Sequence, residues 1–148
     1  MNKGQKLYNK AKKVILGGNM LLSKRPEMWL PNLWPSYFSK AKDIYVWDLN
    51  KKKYIDMICA VGQSILGYAN DKIDREVNKF IKKGNMTTLN CPEEVRLANE
   101  LIKLHPWAQM AKFARSGGEA NAIAARIARA ASGKDHIAIC GYHGWHDW

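Results

Sequence analysis

The 148 residues suffice for one modest domain or for part of a larger one, and a 47% hydrophobic content is enough to build a core. No run of about 18 apolar residues occurs, so no membrane span is expected, and the basic start lacks the apolar stretch and cleavage site of a secretory signal. The net charge of +11 is concentrated at one end: residues 1–26 hold seven Lys/Arg and no acid, whereas the other 122 residues hold 17 basic and 13 acidic groups.

Residues 3–16 read as an amphipathic helix stopped by Gly17-Gly18. Its lysines suit either a nucleic-acid contact or a solvated helix face. The solvated face is preferred, so neither a nucleic acid nor a membrane is expected as partner. Residues 19–40 contain Pro26, Pro31 and Pro35 with Trp29, Trp34, Tyr37 and Phe38 between them. Proline at these intervals excludes a long helix or a central strand, which leaves an extended arm laid over other surface and held by its aromatics. Ile44–Trp47 and Tyr54–Met57 are strand-like runs joined by Asp48–Lys51, which predicts a hairpin. Helices are predicted over 71–83, closed by Gly84, and over 92–104, with Pro92 in the first turn and Val95, Leu97, Ala98, Leu101 and Ile102 on the buried side.

The last third predicts a strand over Ala111–Arg115, a helix opening at Ser116-Gly117-Gly118-Glu119, and a second strand over His136–Cys140. Apolar residues at 120, 123, 124, 127, 128 and 131 give the helix one face for packing on a sheet. Strand, helix and strand in about thirty residues form a βαβ unit, with parallel strands and a right-handed crossover. The fold class is therefore α/β. Of the three cysteines, Cys59 and Cys140 lie in apolar runs, which suits buried free thiols in a reducing, cytoplasmic setting.

Ligands of parallel sheets bind beyond the carboxyl ends of the strands. Ser116-Gly117-Gly118 and Gly141-Tyr142-His143-Gly144 both fall on that edge. With Ser116 as N-cap bonding the N–H of Glu119, the N–H groups of Gly117 and Gly118 stay free, and an anion such as phosphate can approach side-chain-free backbone. The charge of Glu119 opposes an anion unless it turns away. A merely well-capped helix start accounts for the same residues. Tyr142 and His143 suit stacking on a flat heteroaromatic ring, or an ordinary aromatic loop. Cys140, His143, His146 and Asp147 cluster, but no second half-site accompanies them, so no metal is expected.

RSGGEANAIAARIARAASGKD followed by CGYHGWHD resembles the SGTEA-to-YHG stretch of class III aminotransferases, most closely the branch containing glutamate-1-semialdehyde 2,1-aminomutase. VILGGN, YVWDLNKKKYIDM, ILGYANDKI and PEEVRLANELI match in the same order, so the resemblance covers almost the whole chain. It implies pyridoxal 5'-phosphate (PLP) as cofactor and the N-terminal part of the type I PLP-dependent transferase fold. Residues 1–90 become a small-domain segment, and 91–148 the start of the large PLP-binding domain. Ser116, Gly117 and Gly118 match the phosphate position, with Gly118 where the family usually has threonine. Tyr142 matches the ring that stacks on the cofactor, beside His143. Ser23 and Arg25 lie near the segment that reaches the substrate carboxylate. Val61 stands where the aminomutase has tryptophan, and Asn50-Lys51-Lys52 replaces the usual Asp-Gly turn.

The implied activity is amino-group transfer to or from an amino acid or amino-aldehyde, in a homodimer when full length. The family's cofactor-bonding lysine lies well beyond YHG, so this polypeptide as written is expected to be a catalytically inactive piece, with exposed apolar surface and a tendency to aggregate. The alternative is a non-catalytic chain: a basic binding module, or a partner that docks on a full-length relative.

Overall fold

The computed structural model describes residues 1–84 and 87–141, which fall into two compact units on either side of Met86/Thr87. In the first unit, α1 spans Lys3–Val14. Asn2 caps it, accepting from the Gln5 N–H at 2.8 Å while the Gln5 side chain accepts from the Asn2 N–H at 3.1 Å. This reciprocal pair satisfies two of the donors that a helix start leaves open. The helix ends where Gly17 turns left-handed at φ 71°. Tyr8 and Ala11 bury one face, and Gln5 is buried beside them.

The proline-rich arm packs on that face, although its aromatics are not the anchors. Pro26 is fully buried, and the Gln5 amide donates to the carbonyl of Asn32. A Cβ on Gly4 would collide with the carbonyl of Pro35, so glycine is what lets the arm lie on the helix. Trp29 and Trp34 instead stack on each other, centroids 5.2 Å apart, and Trp29 stays exposed. Fused to the proline rings, the arm's backbone can approach α1 more closely than two large indoles could.

The arm runs into β1 (Phe38–Lys42), a strand the sequence pattern did not reveal. It pairs antiparallel with β2 (Tyr45–Asp48), which pairs antiparallel with β3 (Lys53–Ile55). Each side of β2 therefore has a hydrogen-bonded neighbour, and the predicted hairpin is two-thirds of a three-stranded sheet. Asp48 closes the β2–β3 turn from within. Its carboxylate is 4% exposed and accepts from the N–H groups of Asn50 and Lys52 at 2.8 and 2.9 Å and from the Tyr54 hydroxyl at 3.3 Å. Burial pushes the Asp48 pKa up, but these donors outweigh it and hold the group below the usual carboxylate range. Lys51 takes φ 64° in this turn, the conformation glycine adopts without strain. Helix α2 (Asp71–Ile81) follows, capped by Asn70 and tied to β1 by Lys42, which meets Asp71 at 2.8 Å.

The second unit contains α3 (Pro92–Leu104), with proline in its first turn as predicted, and α4 (Gly117–Ser132), closed by Gly133 at φ 66°. Ala98, Leu101 and Ile102 are half-buried in α3, whereas Val95 and Leu97 are exposed. The predicted strands at 111–115 and 136–140 are absent: neither segment forms ladder hydrogen bonds. The reason lies in their placement. Lys112–Arg115 share a shallow cleft with Glu119, Ala122 and Ile123 of α4, and Ile137–Cys140 share another with Ala124, Ala125 and Ala128. At 3.6 residues per turn those two sets lie on nearly opposite faces of the helix. Segments so separated cannot reach the roughly 4.8 Å spacing of paired strands, and no other described segment pairs with either. The apolar stripe predicted for α4 centres between the two clefts and is only partly covered: Ile123 is half-buried, Ile127 is 58% exposed, and only Gly118 and Ala125 of the helix are buried.

The thiols also differ from expectation. Cys59, Cys91 and Cys140 are exposed and none is in a disulfide. Large apolar side chains are exposed in both units, as the sequence predicted. No helix of the described residues is long and apolar enough to cross a membrane.

Candidate functional site

The N-terminus of α4 has the geometry the sequence proposes. Ser116 is in extended conformation (φ −144°, ψ 160°) and its hydroxyl accepts from the Glu119 N–H at 3.3 Å. Its carbonyl accepts from the Ala120 N–H at 3.0 Å, which starts the helical ladder. Among the described residues, no acceptor meets the N–H of Gly117 or Gly118. A Cβ built on Gly117 would touch nothing within 4 Å, so the backbone there is open. Glu119 is turned back along the chain: its carboxylate accepts from the Arg115 N–H at 2.8 Å and lies 3.8 Å from the Arg115 guanidinium. Its charge is thereby engaged by Arg115. The two glycine N–H groups stand at the positive end of a sixteen-residue helix dipole; Gly117 is exposed there and Gly118 is buried.

Tyr142 and His143, the proposed stacking pair, lie outside the described residues, as do His146 and Asp147 of the weighed metal cluster. Gly141, the residue before them, is described and takes φ 85°.

Ser23 and Arg25 belong to the first unit. Ser23 is exposed on a short 3-10 turn, and its carbonyl accepts from the Trp29 indole N–H at 2.9 Å. Arg25 is half-buried. Its guanidinium lies over Gly17, where a Cβ would come within 2.0 Å of Nη2, and its Nε is buried without an acceptor. Beside it, the hydroxyl of Tyr8 donates to Glu27 at 2.9 Å, and Lys12 stands 3.9 Å from the same carboxylate. Burial and the bond to Glu27 push the Tyr8 pKa up. Sequence reading missed this Tyr8–Glu27 pair; the signal available was a tyrosine on the apolar face of α1 together with the one acid among the arm's basic residues.

The family model of class III aminotransferases matches residues 31–146. The chain belongs to the class III aminotransferase family. Family members similar to it include the 3-aminobutyryl-CoA aminotransferase of Cloacimonas acidaminovorans, 38% identical over 143 residues, covering 96% of this chain and 34% of the relative. The glutamate-1-semialdehyde 2,1-aminomutase of Methanocaldococcus jannaschii is 35% identical over 150 residues, covering 100% and 34%. Among solved structures, the FumI protein of Sphingopyxis sp. MTA144, in its PLP internal aldimine form, matches with a TM-score of 0.87 at 31% identity, over 95% of this chain and 34% of that one. An omega-transaminase from Sphaerobacter thermophilus matches with the same TM-score at 26% identity. The chain spans about a third of the length of the curated relatives it matches. The α/β fold class follows from these likenesses, even though the two segments flanking α4 are unpaired here.

Proposed function

We propose that this chain supplies the phosphate-binding helix of a PLP-dependent enzyme of amino-group transfer. The observation that carries the reading is the pair of amides at the mouth of α4, Gly117 and Gly118, which no acceptor among the described residues meets. They fit a phosphate ester: no described acceptor meets either amide, and the space where a side chain would stand on Gly117 is open. When bound, PLP supplies an electron-accepting ring that stabilises negative charge at the carbon bearing the substrate amine.

This chain's residues bind and orient. Ser116 holds the first turn of α4 in register through its bond to the Glu119 N–H. Gly117 and Gly118 donate to the phosphate, and Glu119 stays turned toward Arg115 so that its charge does not compete. In the place of the family's threonine, Gly118 offers no hydroxyl, so phosphate recognition rests on backbone amides. Tyr142 and His143 are proposed as the stacking residues. Arg25, with a buried Nε that has no acceptor, is proposed to meet the substrate carboxylate, with Ser23 nearby.

The substrate is an amino acid or an amino-aldehyde, in keeping with relatives named as an aminotransferase and an aminomutase. The functional form is a homodimer, and residues 1–90 and 91–148 are segments of its small and large domains. Three cysteines outside any disulfide favour the cytoplasm. The test is a longer protein in which this chain is continued to the length of its relatives. It should bind PLP with the visible absorbance of the enzyme-held cofactor and lose it on dialysis against a primary amine substrate. A colourless protein that ignores PLP would refute the assignment.

A further inference from the structure

Residues 59–62 form a single left-handed turn. Cys59, Ala60, Val61 and Gly62 have φ of 51°, 50°, 61° and 82°. For L-residues this region crowds Cβ against the following carbonyl, and for a β-branched valine it is a true outlier. Strain of this kind persists only where surrounding groups over-determine it. The turn's own bonds are short-range: the N–H groups of Val61 and Gly62 donate to the carbonyls of Ile58 and Cys59 at 3.0 Å, and those of Gln63 and Ser64 to Ala60 and Cys59 at 3.3 Å. Val61 is 80% exposed. Apolar burial therefore does not hold the conformation.

One carboxylate does hold both ends. Asp56 Oδ1 accepts from the N–H groups of Ile58 and Cys59 at 2.8 and 3.2 Å, fixing the entry to the turn. Its Oδ2 accepts from the hydroxyl of Tyr68, which lies beyond the exit. Tyr68 is in turn fastened to the sheet, exchanging backbone bonds with Asp43 at 2.8 and 2.9 Å. We propose that Asp56 and Tyr68 form a latch that keeps the 59–62 turn left-handed and so sets how Val61 is presented. The latch is independent of the PLP reading, since it uses only residues of the first unit. With the latch closed, the loop's two ends are pinned to one carboxylate and the turn cannot unwind. With it open, the strain drives residues 59–61 back to negative φ, and Val61 swings with them.

Amide hydrogen exchange followed by NMR on the 148-residue chain tests this. Tyr68→Phe should speed exchange of the Val61 and Gly62 amides roughly tenfold, the scale of one bond to a charged acceptor. The amides of Val46 and Tyr54 in the sheet should stay within about twofold of their original rates, since the opening is local. Adding Val61→Gly to Tyr68→Phe removes strain at that position and should bring the turn amides back to within about threefold of wild type. Three results would overturn the latch: unchanged turn amides in Tyr68→Phe, sheet amides that accelerate in step with the turn, or a double variant as unprotected as the single one.

Discussion

Replacing Asp48 by alanine is the sharpest perturbation of the sheet. The change removes the acceptor for two turn N–H groups, at 2.8 and 2.9 Å, and for the Tyr54 hydroxyl at 3.3 Å. A bond to a charged acceptor contributes about 1.5–3 kcal/mol net. The turn amides can partly turn to water once freed, and the longer Tyr54 contact is weaker, so a total near ~3 kcal/mol is expected rather than the full sum. Asp48→Asn keeps one acceptor oxygen and should lose about half as much. The carboxylate also carries a pH signature. Its folded pKa lies below its ordinary value of 3.8, so the stabilisation is complete above that value and disappears as the pH falls through the lower, folded one. Urea unfolding followed by tryptophan fluorescence, at neutral pH and at steps down to about pH 2, measures both effects. Asp48→Asn should remove this residue's share of the acid-dependent loss. If Asp48→Ala falls within about 0.5 kcal/mol of wild type, the change behaves like an ordinary surface substitution and the turn-closing role is wrong. An acid profile in Asp48→Asn identical to wild type would equally contradict it.

In the same turn, Lys51→Gly should raise stability by about 1 kcal/mol, because φ 64° costs lysine what it does not cost glycine; the urea midpoint reports it. Tyr68 gives an alkaline counterpart to Asp48. Its bond to Asp56, with burial, pushes its pKa from 10.0 to about 12. The native state holds this proton more tightly, so its contribution is intact below pH 10 and is lost as the pH climbs toward 12; Tyr68→Phe should flatten that part of the stability profile. Ser116→Ala removes the α4 cap and should cost about 1 kcal/mol, read as lower helicity by circular dichroism, whereas Ser116→Asp should retain the cap but weaken any anion bound at Gly117 and Gly118.

The helices were legible because their signals are local. Pro92 marks the start of α3, Gly133 the end of α4, and Ser116 and Glu119 the cap between them. The hairpin was legible from short runs of aromatic and β-branched residues, Tyr45–Trp47 and Tyr54–Ile55, on either side of a polar turn. β1 was not, since Phe38–Lys42 follows three prolines and mixes two lysines with small residues; its pairing with β2 is decided by tertiary contact rather than by its own pattern. The segments around α4 show the converse. Their apolar runs predict strands, but a strand exists only with a neighbour, and opposite faces of one helix give these two none in common. The Asp56–Tyr68 latch was invisible for a related reason: the partners stand twelve positions apart, and no local pattern links them. In the candidate site, the cap and the free amides follow from SGGE alone. The turning of Glu119 toward Arg115 required coordinates.

The phosphate cradle itself can be addressed on the 148-residue chain by titrating it with PLP and, separately, with pyridoxal, which lacks the phosphate, while following the NMR signals of the Gly117 and Gly118 amides. Both amides should move with PLP and stay still with pyridoxal. Equal shifts with the two compounds, or PLP binding that leaves both amides unmoved, would contradict the account.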